Sequence, residues 1–301
     1  MKKILFTALA FALAAMPAFA ANITKNYPLK GFTGLRASSV YHVELSQSSG
    51  FSVKVEAPDY LEPYLKVEIS GDNLVLGLES LPRSVSRKLS NEKEDVLRAE
   101  VRMPVLESIS LSGAANLECR NTFPELRGKS FKLDQSGASR ANGLSVSGAS
   151  ADIRMSGASH AELAGSFGKI RLGASGAAKA KLAVEATSVD AELSGSASVD
   201  FDGSFENMGV EASGASKAAS RSAAQLSTLR VEGSGAAAID LRDAKAQDVR
   251  VELSGAASCK VSALRSIEIE ASGASTCLYE SATDTKVNVI QVSRGASVRR
   301  L

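Results

Sequence analysis

The chain has 301 residues, with 35 Lys+Arg against 33 Asp+Glu, 24 Gly, no Trp and 5% aromatic residues. That length suffices for a sizeable core, and 44% apolar residues exclude a disordered chain. So even a charge balance gives no electrostatic reason for nucleic-acid binding, and the aromatic poverty leaves Ala, Val, Leu and Ile to fill thin core layers.

In chain order, residues 1–20 read as a signal peptide. Lys2 and Lys3 precede an apolar run from Ile4 to Ala15, and Ala18-Phe19-Ala20 forms an A-x-A cleavage site before Ala21. The run is too short to span a bilayer comfortably, and no later stretch is long and apolar enough for a transmembrane helix. No Cys follows the cleavage site, so no lipid anchor is expected. Without Lys2 and Lys3 the chain carries 33 basic residues (35 less 2) against 33 acidic ones. These features predict an exported protein of the periplasm or cell surface, with no transmembrane segment once the signal is removed.

Residues 21–108 predict an N-terminal β region. Apolar residues alternate over Ser39–Leu45, Phe51–Glu56, Leu65–Ile69 and Leu74–Leu78. Pro58 can open one helical turn over Ala57–Leu61, and Gly71-Asp72-Asn73 is a turn between strands. From Leu81 to Arg98 charges, Pro82 and Asn91 break the pattern. This segment predicts a solvated insertion, with a ligand-binding flap as the alternative.

Residues 109–301 carry a repeat. Ser-Gly-Ala-Ser/Ala or a close variant begins at Ser112, Ser136, Ser147, Ser156, Ser175, Ser194, Ser213, Ser234, Ser254 and Ser272, with a degenerate copy at Arg294-Gly295-Ala296-Ser297. A period near twenty means a stack of equivalent units. Apolar residues alternate before the motif (Val249-Val251-Leu253) and after it (Ile239-Leu241), so each unit holds two strands with one buried face. Gly suits the corner between them. The Ala after it is small enough to point inward there. The leucine-rich pattern is absent, a helical solenoid needs longer repeats of another periodicity, and a propeller blade needs twice the length. The fold class is therefore all-β, a right-handed parallel β-helix of about 20 residues per coil, with the N-terminal region continuous with it or packed on it.

Phe32-Thr33-Gly34-Leu35, the strand Val40–Leu45, Val53–Ala57, Leu65–Ile69 with Asn73–Leu76, and above all the run Val101–Gly113 resemble the putative auto-transporter adhesin "head GIN" domain family. The resemblance spans nearly the whole mature chain. It implies an exported all-β protein with β-helical character and supplies no catalytic residues. With Ser297–Leu301 inside or just past the last coil, no membrane β-barrel is expected in this sequence.

Parallel β-helices also host polysaccharide lyases and hydrolases, whose sites cluster carboxylates, Arg, Lys or His on one exposed strand face. The two histidines, His42 and His160, both read as surface residues. The motif serines recur in every coil, which points to structure and not to one nucleophile. No G-x-S-x-G elbow or metal-binding signature occurs. An ice-binding ladder would use threonines on a flat strand face, whereas these serines flank a corner. The expected function is a non-enzymatic adhesin or an envelope or glycan-binding structural module, with envelope or host glycans or surface proteins as partners. The alternative is a polysaccharide-active β-helical enzyme.

Equal offsets from the motif fall in columns. Two residues before it stand Glu192, Glu211, Glu232, Glu252 and Glu270, facing outward. Neighbours roughly 4.8 Å apart would repel by about 0.9 kcal/mol per pair in bulk water. Arg230 and Arg250 lie two residues earlier on the same face and can offset this; Asp190 and Glu268 add to it. The ladder is either a solvated, partly salt-bridged face or a weak cation site, with calcium as the ion and no other cofactor expected. Cys259 and Cys277 stand five residues after consecutive motifs, in an inward column with Leu117, Ala161, Val199 and Ile239. They form either a disulfide or two buried thiols, the bridge contributing roughly 3 kcal/mol if unstrained. Cys119 is expected to be unpaired and buried.

Overall fold

Alternation on both sides of each corner folds into strand pairs that stack as a solenoid of about ten turns, near 20 residues each. The structure is a computed structural model and describes residues 22–92, 96–293 and 295–301. The predicted signal peptide and cleavage site, and part of the segment near 81–98, lie outside the described residues.

The N-terminal strands are β1 (Asn22–Tyr27), β2 (Gly34–Ala37), β3 (Tyr41–Gln47), β4 (Ser52–Pro58), β5 (Leu65–Ser70), β6 (Asn73–Leu78), β7 (Leu97–Met103), β8 (Ser108–Leu111) and β9 (Asn116–Cys119). A 3-10 turn, Asp59–Tyr64, follows Pro58 as expected. The insertion contains a helix, α1 (Arg83–Ser90), that buries no residue. β2 and β3 already form a coil of the stack, because β8 and β9 pair with them in parallel. Their corner has no glycine. Ser39 stands in its place with φ 66°, and its carbonyl accepts the Ala114 N–H at 2.7 Å.

On the other side of this coil lie β6 and β7, also parallel to β2 and β3. The chain thus lays its second coil beneath the first, then crosses to β8 to build upward. β4 pairs antiparallel with β7, β1 with β4, and β5 with β6. These strands close the N-terminal end, with Phe32 and Leu61 fully buried there and Phe32 stacked edge-on against Phe51 at 4.9 Å.

Upward from β9 the strands are β10 (Leu126–Gln135), β11 (Arg140–Ser145), β12 (Gly148–Met155), β13 (His160–Ala174), β14 (Lys179–Leu193), β15 (Ser198–Ala212), β16 (Lys217–Ser220), β17 (Gln225–Gly233), β18 (Ala238–Leu253), β19 (Ser258–Ala271), β20 (Thr276–Ser281), β21 (Lys286–Val292) and β22 (Ser297–Arg300). Residues before each corner form face A; residues after it form face B. Long strands serve both. β14 pairs with β13 and β15 from its face B start through to its face A end. Its inward set steps from Ala180, Leu182 and Val184 to Val189, Ala191 and Leu193, which marks the bend between the faces.

At the motif corners Gly113, Gly137, Gly157, Gly176, Gly195, Gly214, Gly235, Gly255 and Gly273 take φ of 66–72°, whereas Gly148 of the extra copy starts β12 outside the left-handed region. A Cβ on Gly176, Gly195 or Gly255 would sit 2.8–2.9 Å from the glycine carbonyl of the coil below. No other residue fits both demands. That carbonyl accepts the next N–H, Ala177 to Gly157 and Ala256 to Gly235, both at 2.7 Å, so the corners are hydrogen-bonded from coil to coil. The residue after Gly does not point inward, contrary to the expectation: Ala138, Ala158, Ala177 and Ala236 are exposed. The fourth motif residue is the buried one, as at Ala178, Ala197, Ala237 and Ala257, because it starts the inward parity of the next strand. At Ser139, Ser159, Ser216 and Ser275 this position buries a hydroxyl with no partner.

The C-terminal end has no closing strands among the described residues. The inward column there, Val287, Val289 and Val292, is 42–45% exposed, although the residues it stacks on, Ile267, Ile269 and Ala271, are buried.

Candidate functional site

The outward columns of face A line one long concave surface. It is an open groove of about 1520 Å³, lined from Ser110 to Ser272 by the two outward columns and the motif serines. Its central column is in register throughout: Ser110, Asp134, Arg154, Gly173, Glu192, Glu211, Glu232, Glu252 and Glu270 pair step by step. Eight steps at about 4.8 Å make it roughly 38 Å long. The five predicted glutamates are therefore brought together as one ladder.

Charge varies along the groove. Toward Ser110 the sign is mixed, and Arg154 bonds Asp152 at 2.8 Å. Beyond Gly173 carboxylates dominate. Arg230 lies 2.5 Å from Glu232 and 4.0 Å from Glu252. Arg250 reaches Glu252 and Glu268, both at 2.9 Å, and Glu270 at 3.7 Å. Lys169 bonds Asp190 at 2.7 Å. Two arginines thus neutralise much of the upper ladder, while among the described residues no ion pair reaches Glu192 or Glu211. Among the described residues no three His, Cys, Asp or Glu side chains converge on a metal-sized space. The ladder is a row, whereas calcium takes 6–8 oxygens.

The motif serines form one wall. Ser156, Ser175, Ser213 and Ser272 donate to carbonyls of the coil below at 3.2–3.4 Å. Each hydroxyl is committed as a donor and keeps acceptor lone pairs free. This is a structural, repeated role, as their recurrence implied, and it leaves a file of acceptors beside the carboxylates.

His42 departs from expectation. It is 9% exposed, because its strand is paired on both sides, with Arg98 of β7 and Asn116 of β9 as its register neighbours. Asn116 Nδ2 lies 3.2 Å from its Nδ1, and a small cleft brings it near Glu44, Lys54, Glu56, Arg98 and Glu100. His160 faces outward at the start of β13, 3.8 Å from Glu162. Neither histidine adjoins the groove. Cys259 and Cys277 pair directly across β19 and β20, both buried and free. Cys119 is free but only half-buried, and its thiol donates to the Asn121 carbonyl at 3.3 Å. The groove itself, with Asp152, Arg154 and Arg171 on its floor, was not foreseen from the sequence. The same column count carried back to Asp134 would have located its residues, though not its curvature.

The family model described as "Putative auto-transporter adhesin, head GIN domain" matches residues 31–199 and 168–281. The chain belongs to this family. Two crystal structures share the GIN-domain fold. One is a putative lipid binding protein from Parabacteroides distasonis, 12% identical with TM-score 0.51, covering 93% of this chain and 96% of that one. The other is a putative adhesin from Parabacteroides merdae, 16% identical with TM-score 0.51 and the same coverage. At such identities the likeness concerns the fold alone. No curated protein sequence matches this chain. Among its described residues, no helix of this GIN-domain protein is long and apolar enough to cross a membrane.

Proposed function

We propose that this chain is an exported, non-enzymatic adhesin-like module whose face A groove receives an extended polar polymer, a glycan of the envelope or of a host surface. The observation that carries the reading is the groove itself: one continuous concave channel across nine coils, lined by charged side chains and serine hydroxyls. Such a surface offers many shallow hydrogen-bonding positions and no single deep one, which suits a chain-like ligand over a small molecule. No aromatic residue lines it, so binding rests on hydrogen bonds to sugar hydroxyls and not on ring stacking. The carboxylate excess above Gly173 disfavours acidic polysaccharides and favours neutral or amino sugars.

The test is a glycan array probed with the mature chain, with released sugars assayed in parallel. Saturable binding to neutral or amino-sugar polymers, without cleavage, supports the proposal. Shortened products would point to the polysaccharide-active enzyme instead. A preference for polyanionic glycans would contradict the charge reasoning.

A further inference from the structure

We propose that Cys259 and Cys277 are joined in a disulfide as the chain folds, stapling successive coils together at the open end of the solenoid. The two residues are directly opposed in the parallel pairing of β19 with β20. Register neighbours in adjacent strands have Cα atoms about 4.8 Å apart, inside the 4.4–6.8 Å range of disulfides. Both side chains point inward and are 0–1% exposed, in a column that continues as Ile239 below and Val298 above. The parallel Cβ atoms must close from about 4.8 Å to near 3.8 Å, a lean of about half an ångström each. Val298, the register neighbour of Cys277 in the last strand, is itself only half-buried, so the lean is not resisted by a closed core above it.

The position gives the bond a purpose. Antiparallel strands close the N-terminal end, whereas Val287, Val289, Ile290 and Val292 stand 42–50% exposed at the other. In a stack whose units touch only their neighbours, opening starts where a neighbour is missing. A covalent link between β19 and β20 stops such fraying from spreading down the stack.

The chemistry balances with a disulfide donor, either a protein dithiol oxidase or a small-molecule disulfide. One thiolate attacks the donor disulfide and releases the first donor thiol, leaving a mixed disulfide; the second thiolate attacks the protein sulfur of that mixed disulfide and releases the other donor thiol. Two S–H bonds are lost, one S–S bond forms, and the donor leaves as two thiols with both electrons and both protons. Once the coils have closed this path is blocked. The Cys259 thiol then hydrogen-bonds with Cys277 and is fully buried, and both hold it well above the ordinary thiol range. Oxidation therefore precedes closure. Cys119 sits far down the stack and stays a thiol.

The full chain, exported to an oxidising compartment, is denatured without reductant, alkylated and weighed. One alkylated cysteine, at Cys119, and a linked peptide containing Cys259 and Cys277 are expected. Reduced chain refolded with oxidised glutathione forms the same link, while reduced chain already folded takes it up at least tenfold more slowly. Three alkylated thiols in both the exported and the oxidatively refolded chain would overturn the proposal, as would a bridge that includes Cys119. Equal oxidation rates before and after folding would overturn the stated order of events. Cys277→Val keeps an apolar side chain of the kind that Val199 and Val298 place in this column. Amide exchange over residues 286–300 should be faster in this variant than in the bridged chain and insensitive to reductant. Equal exchange in bridged and reduced wild type would overturn the stapling role.

Discussion

Two glycines three residues apart separate the role of the corner from that of the strand. Gly176 sits at a corner with φ 69°, and a Cβ there would stand 2.8 Å from the Gly157 carbonyl oxygen. Gly173 lies on the outer side of face A, outside the left-handed region, with open space around its missing Cβ. Gly176→Ala meets about 1–2 kcal/mol of left-handed strain. Relief of the clash must lift the corner off the coil below and weaken the Ala177 to Gly157 hydrogen bond at 2.7 Å, about 1 kcal/mol more. The expected loss is about 2–3 kcal/mol. Gly173→Ala should instead gain about 0.4–1 kcal/mol by restricting the unfolded chain. Urea unfolding followed by circular dichroism measures both. The comparison holds only where the m-value is unchanged, since a stack of coils can unfold in parts. Gly176→Ala within 0.5 kcal/mol of wild type would refute the corner reasoning, as would equal losses at the two sites.

Ser139→Ala removes a buried hydroxyl that has no partner, at a position filled by alanine in other coils. It should stabilise the chain by about 1 kcal/mol, read as a higher urea midpoint, and a loss of that size would show a hidden partner. Arg250→Met leaves Glu252, Glu268 and Glu270 without their shared cation. Its melting temperature should fall below wild type at low salt and recover toward it in 0.5 M salt; a salt-independent fall would point to packing. The Arg265 guanidinium, and after it the Ser266 hydroxyl, holds the Asp248 carboxyl down to about 2. A depressed folded value adds stability above the unfolded value near 4 that disappears as pH falls through about 2. The wild-type advantage over Arg265→Ala should therefore shrink between pH 4 and 2, and a constant offset across that window would contradict the assignment.

The stack was legible because a fixed period converts sequence offset into spatial column. The glutamate ladder, the arginines beside it and the Cys259–Cys277 register follow from counting alone. What escaped is non-local. Ser39 makes a corner without glycine, and only its pairing beneath Gly113 reveals the coil in the N-terminal third. The placement of β6 and β7 under β2 and β3 rests on contacts between segments distant in sequence, and the same pairing sets Arg98 beside His42. Alternation states which residues face out but not whether the face is flat or hollow, so the groove was invisible. The inward fourth residue was within reach: counting back by twos from Leu117, Val199 or Ile239 lands on it, and not on the alanine after glycine.

Face A of this stack is the proposed binding surface. Gly173 lies mid-groove with open space where its side chain would be, so Gly173→Trp places an indole in the channel without a backbone penalty. Lys181→Trp sets the same bulk on the exposed outer side of face B. Binding of each variant to the array-identified glycan is measured by calorimetry at matched melting temperature. At least a tenfold loss is expected for Gly173→Trp and no change for Lys181→Trp. Undiminished binding by Gly173→Trp would rule out face A as the binding surface.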